Sequence, residues 1–256
     1  MNVFLKRQRL ALISAGLAIL VMAAKAGVHA MGWEVVTVNP LFTGLVAANV
    51  FLMGFLLSGV LADYKESEKL PGELAACLES MSDDFVALRD AKQQEVRKDG
   101  LARILQLGRS IRDWLFQSLT TGATMERVSE MVHVFARIEP FIPANYTVRL
   151  KQEQNNLRRC LIRINTIRET SFISAGYVIS GIFTASLTVG LVLVRMDKEI
   201  ESLFLAALIT FLFTYLSLLI RDLDNPFGYA DQGSSEDVSL KPLQDALERL
   251  AKLQMP

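Results

Sequence analysis

The chain has 256 residues, 51% of them hydrophobic, and its 27 basic side chains balance 27 acidic ones. Zero net charge, with no basic patch interleaved with aromatics, argues against nucleic acid as a partner. A chain this apolar that is still 21% charged must keep its charges apart from its apolar stretches. Four stretches hold no Asp, Glu, Lys or Arg: Leu10 to Ala24, Leu41 to Ala62, Phe172 to Val194 and Leu203 to Ile220.

A spanning helix needs ~20 mostly apolar residues to cross a hydrocarbon core of ~30 Å. The first stretch meets that length only by running past Lys25, whose ammonium is expected to snorkel toward the outer interface rather than bind an ion. A cleaved signal peptide is the second reading, since Lys6, Arg7 and Arg9 precede the apolar run and Val28, His29 and Ala30 resemble a small-residue cleavage site. The second stretch spans unaided. Residues 1–62 thus read as a first transmembrane helix pair.

Residues 63–170 carry amphipathic stripes at three- and four-residue steps. One runs Leu74, Cys77, Leu78, Met81, Phe85, Leu88; the next Leu101, Ile104, Ile111, Trp114, Leu115. A shorter one is Met125, Val128, Val132, Phe135, and the fourth Leu157, Cys160, Leu161, Ile164, Ile167. Gly100, Gly122 and the Pro140 to Pro143 region are expected to separate them. No Gly or Pro interrupts Ala144 to Ala175, so the fourth stripe is expected to continue as one helix into the third span. No alternation long enough for a strand occurs, and the whole chain is expected to be all-α.

Residues 171–222 form a second transmembrane pair, and residues 223–256 a C-terminal tail. Ser174, Gly176, Ser180, Gly181, Thr184, Ser186 and Thr188 crowd the third span; close helix packing is the default reading and a polar pore wall the alternative. Lys6, Arg7, Arg9, Lys65, Lys69, Arg163, Arg168 and Arg221 flank one side of the spans, against Arg195 and Lys198 on the other. Both termini and residues 63–170 are therefore expected in the cytoplasm, in a plasma or bacterial inner membrane. Cys77 and Cys160 would then remain free thiols.

Signatures of familiar chemistry are missing. His29 and His133 fall on opposite sides by this topology, and no phosphate loop, metal-spaced Cys pair or nucleophile elbow occurs. An enzyme is not expected, and neither a cofactor nor a metal site is proposed from the sequence.

Two motifs say more. Phe51 to Phe55 reads Phe-Leu-Met-Gly-Phe, followed by Asp63-Tyr64 and Leu70-Pro71, and Asn225-Pro226-Phe227-Gly228 follows the last span. These resemble, in order and near spacing, the second span and the Asn-Pro-Phe-Gly motif of bestrophin anion channels. The tail also looks like that of bestrophin-like bacterial membrane proteins, in Leu223-Asp224-Asn225-Pro226-Phe227, Val238-Ser239 and Pro242-Leu243.

The resemblance implies a homo-oligomer, a pentamer, around one axial pore, conducting anions such as chloride passively through a hydrophobic neck. The neck positions fall on Ala47, Phe51 and Phe55, which share a helix face by their four-residue spacing alone. The opposing reading is that both Phe rings pack on other helices or on membrane lipid. Tyr229 to Asp237 carries few acids, with only Asp231 close behind Gly228, so a calcium clasp of the animal type is not expected. The alternative function is a non-conducting membrane scaffold or sensor whose cytosolic helices bind a partner.

Overall fold

The computed structural model describes residues 3–88, 90, 93–170, 174–230 and 236–254, with the side chains of residues 3–7 and Ser174 left aside. Phe172 and Asp231, and the side chains of Lys6, Arg7 and Ser174, therefore lie outside what is described. Nine α-helices account for nearly all of the described chain: α1 Val3–Ala30, α2 Pro40–Ser67, α3 Leu70–Val86, α4 Gln94–Leu115, α5 Thr121–Ile138, α6 Ala144–Glu169, α7 Ser174–Leu193, α8 Glu199–Leu223 and α9 Lys241–Lys252. The fold is all-α, and α1, α2, α7 and α8 contain segments long and apolar enough to cross a membrane. The described residues divide into two compact units, one holding residues 3–64, 174–226 and Glu236, the other residues 65–170, 227–230 and 237–254 with the C-terminal helix.

In the spanning unit α1 packs on α7 and α8, and α7 on α8. A two-residue parallel bridge pairs β1 Val36–Thr37 with β2 Val194–Arg195, in the register Val36 to Val194. This short pairing was not expected from the sequence; two residues are too few for any alternation to register.

Beside that bridge Lys25 departs from expectation. Its side chain is 2% exposed, so it does not snorkel. Its Nζ donates to the Val194 carbonyl at 2.6 Å and to Glu34 Oε1 at 3.2 Å. His29 Nδ1 meets Glu34 Oε2 at 3.0 Å, and its Nε2 lies 3.8 Å from Glu199 Oε2. A buried ammonium persists only where partners replace water, and here a carboxylate and a carbonyl do so. The His29 hydrogen bond, then Lys25, hold the Glu34 carboxyl below its ordinary range against the opposing effect of burial.

The second unit is a bundle in which α3 packs on α4, α6 and α9, and α5 on α4 and α6. The stripes on α3, α4 and α6 are buried as expected, with Leu74, Leu78, Phe85, Ile104, Ile111, Leu157 and Leu161 wholly enclosed. The α5 stripe is displaced: Val132 is 42% exposed, whereas Val128, Met131, Phe135 and Ile138 face inward. Cys77 and Cys160 are free and buried, and burial pushes both thiols up to about 12.

Two expected boundaries move. Gly100 and Gly122 lie inside α4 and α5 rather than between helices. At Gly100 the Phe85 ring occupies the space a Cβ would take. The continuous helix expected from Ala144 to Ala175 ends at Glu169, where Thr170 turns extended at φ −119 and ψ 118 and its hydroxyl donates to the Thr166 carbonyl at 2.6 Å.

Replacing Gly100 with Ala forces the fully buried Phe85 ring aside and is expected to lower stability by ~1–3 kcal/mol, read as a fall in thermal midpoint of the detergent-solubilised protein. Glu34 supplies a pH dependence. A carboxyl held low in the folded state stabilises above its unfolded value near 4.5, and that contribution is lost as pH falls through the folded value. The thermal midpoint of the native protein should therefore drop more steeply below pH 4.5 than that of Glu34→Gln; parallel curves would contradict the assignment.

Candidate pore-lining site

Helix α2 begins where Pro40, with φ already helical and no N–H to satisfy, follows Asn39, whose Oδ1 accepts from the Phe42 N–H at 2.9 Å. From there it is apolar around its circumference but not evenly covered. Asn49, Met53, Leu56 and Val60, at steps of four, three and four, are buried. The last three form a core with Leu187 of α7 and Phe213, Ile220 and Leu223 of α8.

The opposite side is bare. Ala47 is exposed, Phe51 is 78% exposed and Phe55 56%, so the three expected neck residues come together on one uncovered face of α2. Ala48, Gly54, Ser58 and Ala62 are exposed on the same helix. Large apolar side chains are exposed on every span: Leu12, Ile19 and Leu20 on α1, Leu41 and Val50 on α2 itself, Val178 and Ile182 on α7, Phe204 and Leu212 on α8. Bulky apolar side chains suit acyl chains, whereas the small residues exposed beside Phe51 and Phe55 suit the close approach of another helix.

Behind this face Asn49 is fully buried, its Nδ2 reaching Thr184 Oγ1 at a long 3.4 Å, with its Oδ1 lacking a hydrogen-bond partner among the described residues. Part of the hydroxyl-rich set of α7 lies on this inner side, with Ser180 buried and Thr184 and Thr188 half-buried, whereas Ser186 is exposed. Ser180, Gly181, Thr184 and Thr188 line a cavity of about 460 Å³ with Thr214 and Ser217 of α8. The Thr188 hydroxyl donates back to the Thr184 carbonyl at 2.8 Å.

The motif after the last span has a structural part to play. Asn225 is exposed, while Pro226, Phe227 and Gly228 are buried, Phe227 completely. In the bundle unit the Phe227 ring lies 6.3 Å from that of Tyr229, which lies 5.5 Å from that of Phe116, and the Tyr229 hydroxyl donates to the Val238 carbonyl at 2.7 Å. Among the described residues no group of three or more His, Cys, Asp or Glu side chains is placed to hold a metal.

Sequence reasoning passed over α9, although Pro242 in its first turn and the buried Leu243, Ala246, Leu247 and Leu250 are a readable start signal and stripe. It also passed over the partners of Lys25, which no local pattern announces.

No family model matches the chain, and no curated protein does. Solved structures do. One variant of a bacterial bestrophin homolog from Klebsiella pneumoniae superposes with a TM-score of 0.75 at 13% identity, over 96% of this chain and 98% of that one. A second variant of that homolog gives 0.75 at 13% identity over 98% and 100%, and a further structure, described as a membrane protein, gives 0.74 at 13% over 96% and 97%. At this identity the shared property is the fold, and it extends over essentially the whole of both chains.

Replacing Asn49 with the similarly sized Leu removes a buried, unpartnered carbonyl at the loss of one long hydrogen bond. The thermal midpoint in detergent is expected to hold or rise, with any loss under ~1 kcal/mol; a large fall would mean that the amide does more than the Thr184 contact shows.

Proposed function

We propose that this protein is a homo-oligomeric channel of the bestrophin kind, a pentamer that conducts anions such as chloride passively through a neck lined by Ala47, Phe51 and Phe55. The observation that carries the reading is the uncovered aromatic face of α2, opposite a face whose Met53, Leu56 and Val60 are buried against α7 and α8. The fold shared with the bacterial bestrophin homolog supports it, and so do the second-span and Asn225 to Gly228 motifs.

Mechanistically, Phe51 and Phe55 stand one turn apart, so their rings would form two stacked constrictions ~6 Å apart along the helix axis. An apolar constriction gates by dewetting, and the positively polarised ring edges assist a partly dehydrated anion. The small Ala47 side chain would leave the neck wider one turn above Phe51. The Lys and Arg bias across the span flanks supports cytoplasmic termini and a cytoplasmic bundle unit, in a plasma or bacterial inner membrane.

Purified protein reconstituted in liposomes tests this. The Phe51→Ala, Phe55→Ala double variant is expected to raise chloride flux several-fold over the native protein, and native mass spectrometry is expected to give a five-copy particle. Unchanged flux in the double variant would remove these rings from the pore. Absence of flux in both proteins would favour the scaffold reading.

A further inference from the structure

Between α4 and α5 of the bundle unit runs a groove of about 380 Å³ whose chemistry the channel reading does not use. Leu107, Met131 and Val134 contribute apolar side chains to it, and Arg103, Arg127 and Arg137 bring three guanidinium groups to its rim. Arg127 and Arg137 are ten residues apart on α5, so the cationic positions spread over ~15 Å.

The acids that face them do not balance them. Asp99 answers two of the three, with its Oδ2 at 3.0 Å from Arg137 Nη1 and its Oδ1 at 3.7 Å from Arg103 Nε. Glu130 also lines the groove but forms no ion pair among the described residues, and His133 and Gln106 complete its polar lining. Among the described residues Arg127 is bound only by a neutral group: its Nη1 donates to Ser110 Oγ, and that hydroxyl, on a residue 1% exposed, donates in turn to the Gln106 carbonyl at 2.8 Å. A buried hydroxyl thus orients a guanidinium without neutralising it. Elsewhere in this unit Arg112, Arg149, Arg163 and Arg249 each meet a carboxylate, on Asp113, Asp84, Glu66 and Glu79.

A planar guanidinium held by one edge presents its remaining N–H groups as a fork, the geometry that receives two oxygens of a phosphate. We infer that the α4–α5 groove is a binding site for a small phosphate-bearing anion, with Arg127 as its principal contact and Arg103 and Arg137 at the far end. The inference does not depend on conduction.

The test is calorimetric titration of the full-length protein in detergent with inorganic pyrophosphate at ~0.15 M salt, where diffuse surface attraction is screened within ~8 Å. Saturable binding at one site per subunit is expected. Arg127→Gln should weaken it by at least ~tenfold, and Arg127→Lys, which keeps the charge but loses the fork, should fall between. Lys151→Gln, at an exposed position on α6, should bind as the native protein does, and unchanged thermal midpoints should show that all variants are folded. Absence of saturable binding, as when a second copy covers the groove, overturns the inference. Equal losses in Arg127→Gln and Lys151→Gln, the signature of unspecific charge attraction, also overturn it.

Discussion

A helix that is apolar on every side needs apolar surroundings on every side, and α2 finds them on only one within its own chain. Met53, Leu56 and Val60 are enclosed by α7 and α8, while Phe51 and Phe55 are largely exposed on the other face. In water such exposure would itself drive association. In a bilayer it does not, because acyl chains are as apolar as Leu and helices gain little by hiding apolar surface from them. The composition of the face therefore matters more than its exposure. Ala47, Ala48, Gly54, Ser58 and Ala62 let another backbone approach, and they stand among exposed bulky side chains, Val50, Phe51, Phe55 and Leu61.

The same reasoning explains what holds the spanning unit together. Where burial of apolar surface contributes little, polar groups removed from water must be satisfied inside the protein, and each such contact becomes a fastening. Lys25 joins the end of α1 to the Val194 carbonyl and to Glu34, so the β1–β2 bridge and the loop after α1 are pinned at one point. Asn49 shows the converse, a buried amide that is only half satisfied. The bundle unit rests on ordinary burial instead: Phe85, Trp114, Phe135 and Leu161 fill one core so tightly that α4 can cross Phe85 only at a glycine.

The spans were legible because charge-free runs of sufficient length have few other uses, and the stripes of α3, α4 and α6 because three- and four-residue spacing is what a helix buries. The failures have physical causes. On α5, Val128 and Phe135 belong to two overlapping patterns, one through Met131 and one through Val132; spacing alone cannot choose between a step of three and a step of four, and packing on α4 and α6 chose Met131. Gly100 looked like punctuation, yet it is inside a helix because a neighbouring ring needs its missing side chain. Thr170 ends α6 without any Gly or Pro, through an extended backbone that its own residue type permits but does not announce. The face shared by Ala47, Phe51 and Phe55 followed from spacing; that this face is left uncovered could not, since it depends on where α7 and α8 sit.

Lys25 and Arg127 illustrate one principle in two solvents. Both are cations whose significance lies in what answers them, and sequence neighbours answer neither. The partner of Lys25 at Val194 is 169 residues away, and burial is tolerable because a carbonyl and a carboxylate together replace its water. Arg127 stays at the surface of the bundle, so it need not be neutralised, and a buried hydroxyl fixes its direction without discharging it. A charge that is satisfied from all sides fastens a structure. A charge that is oriented but left unanswered still attracts an anion, which is why the Lys25 cluster reads as architecture and the Arg127 groove as a site.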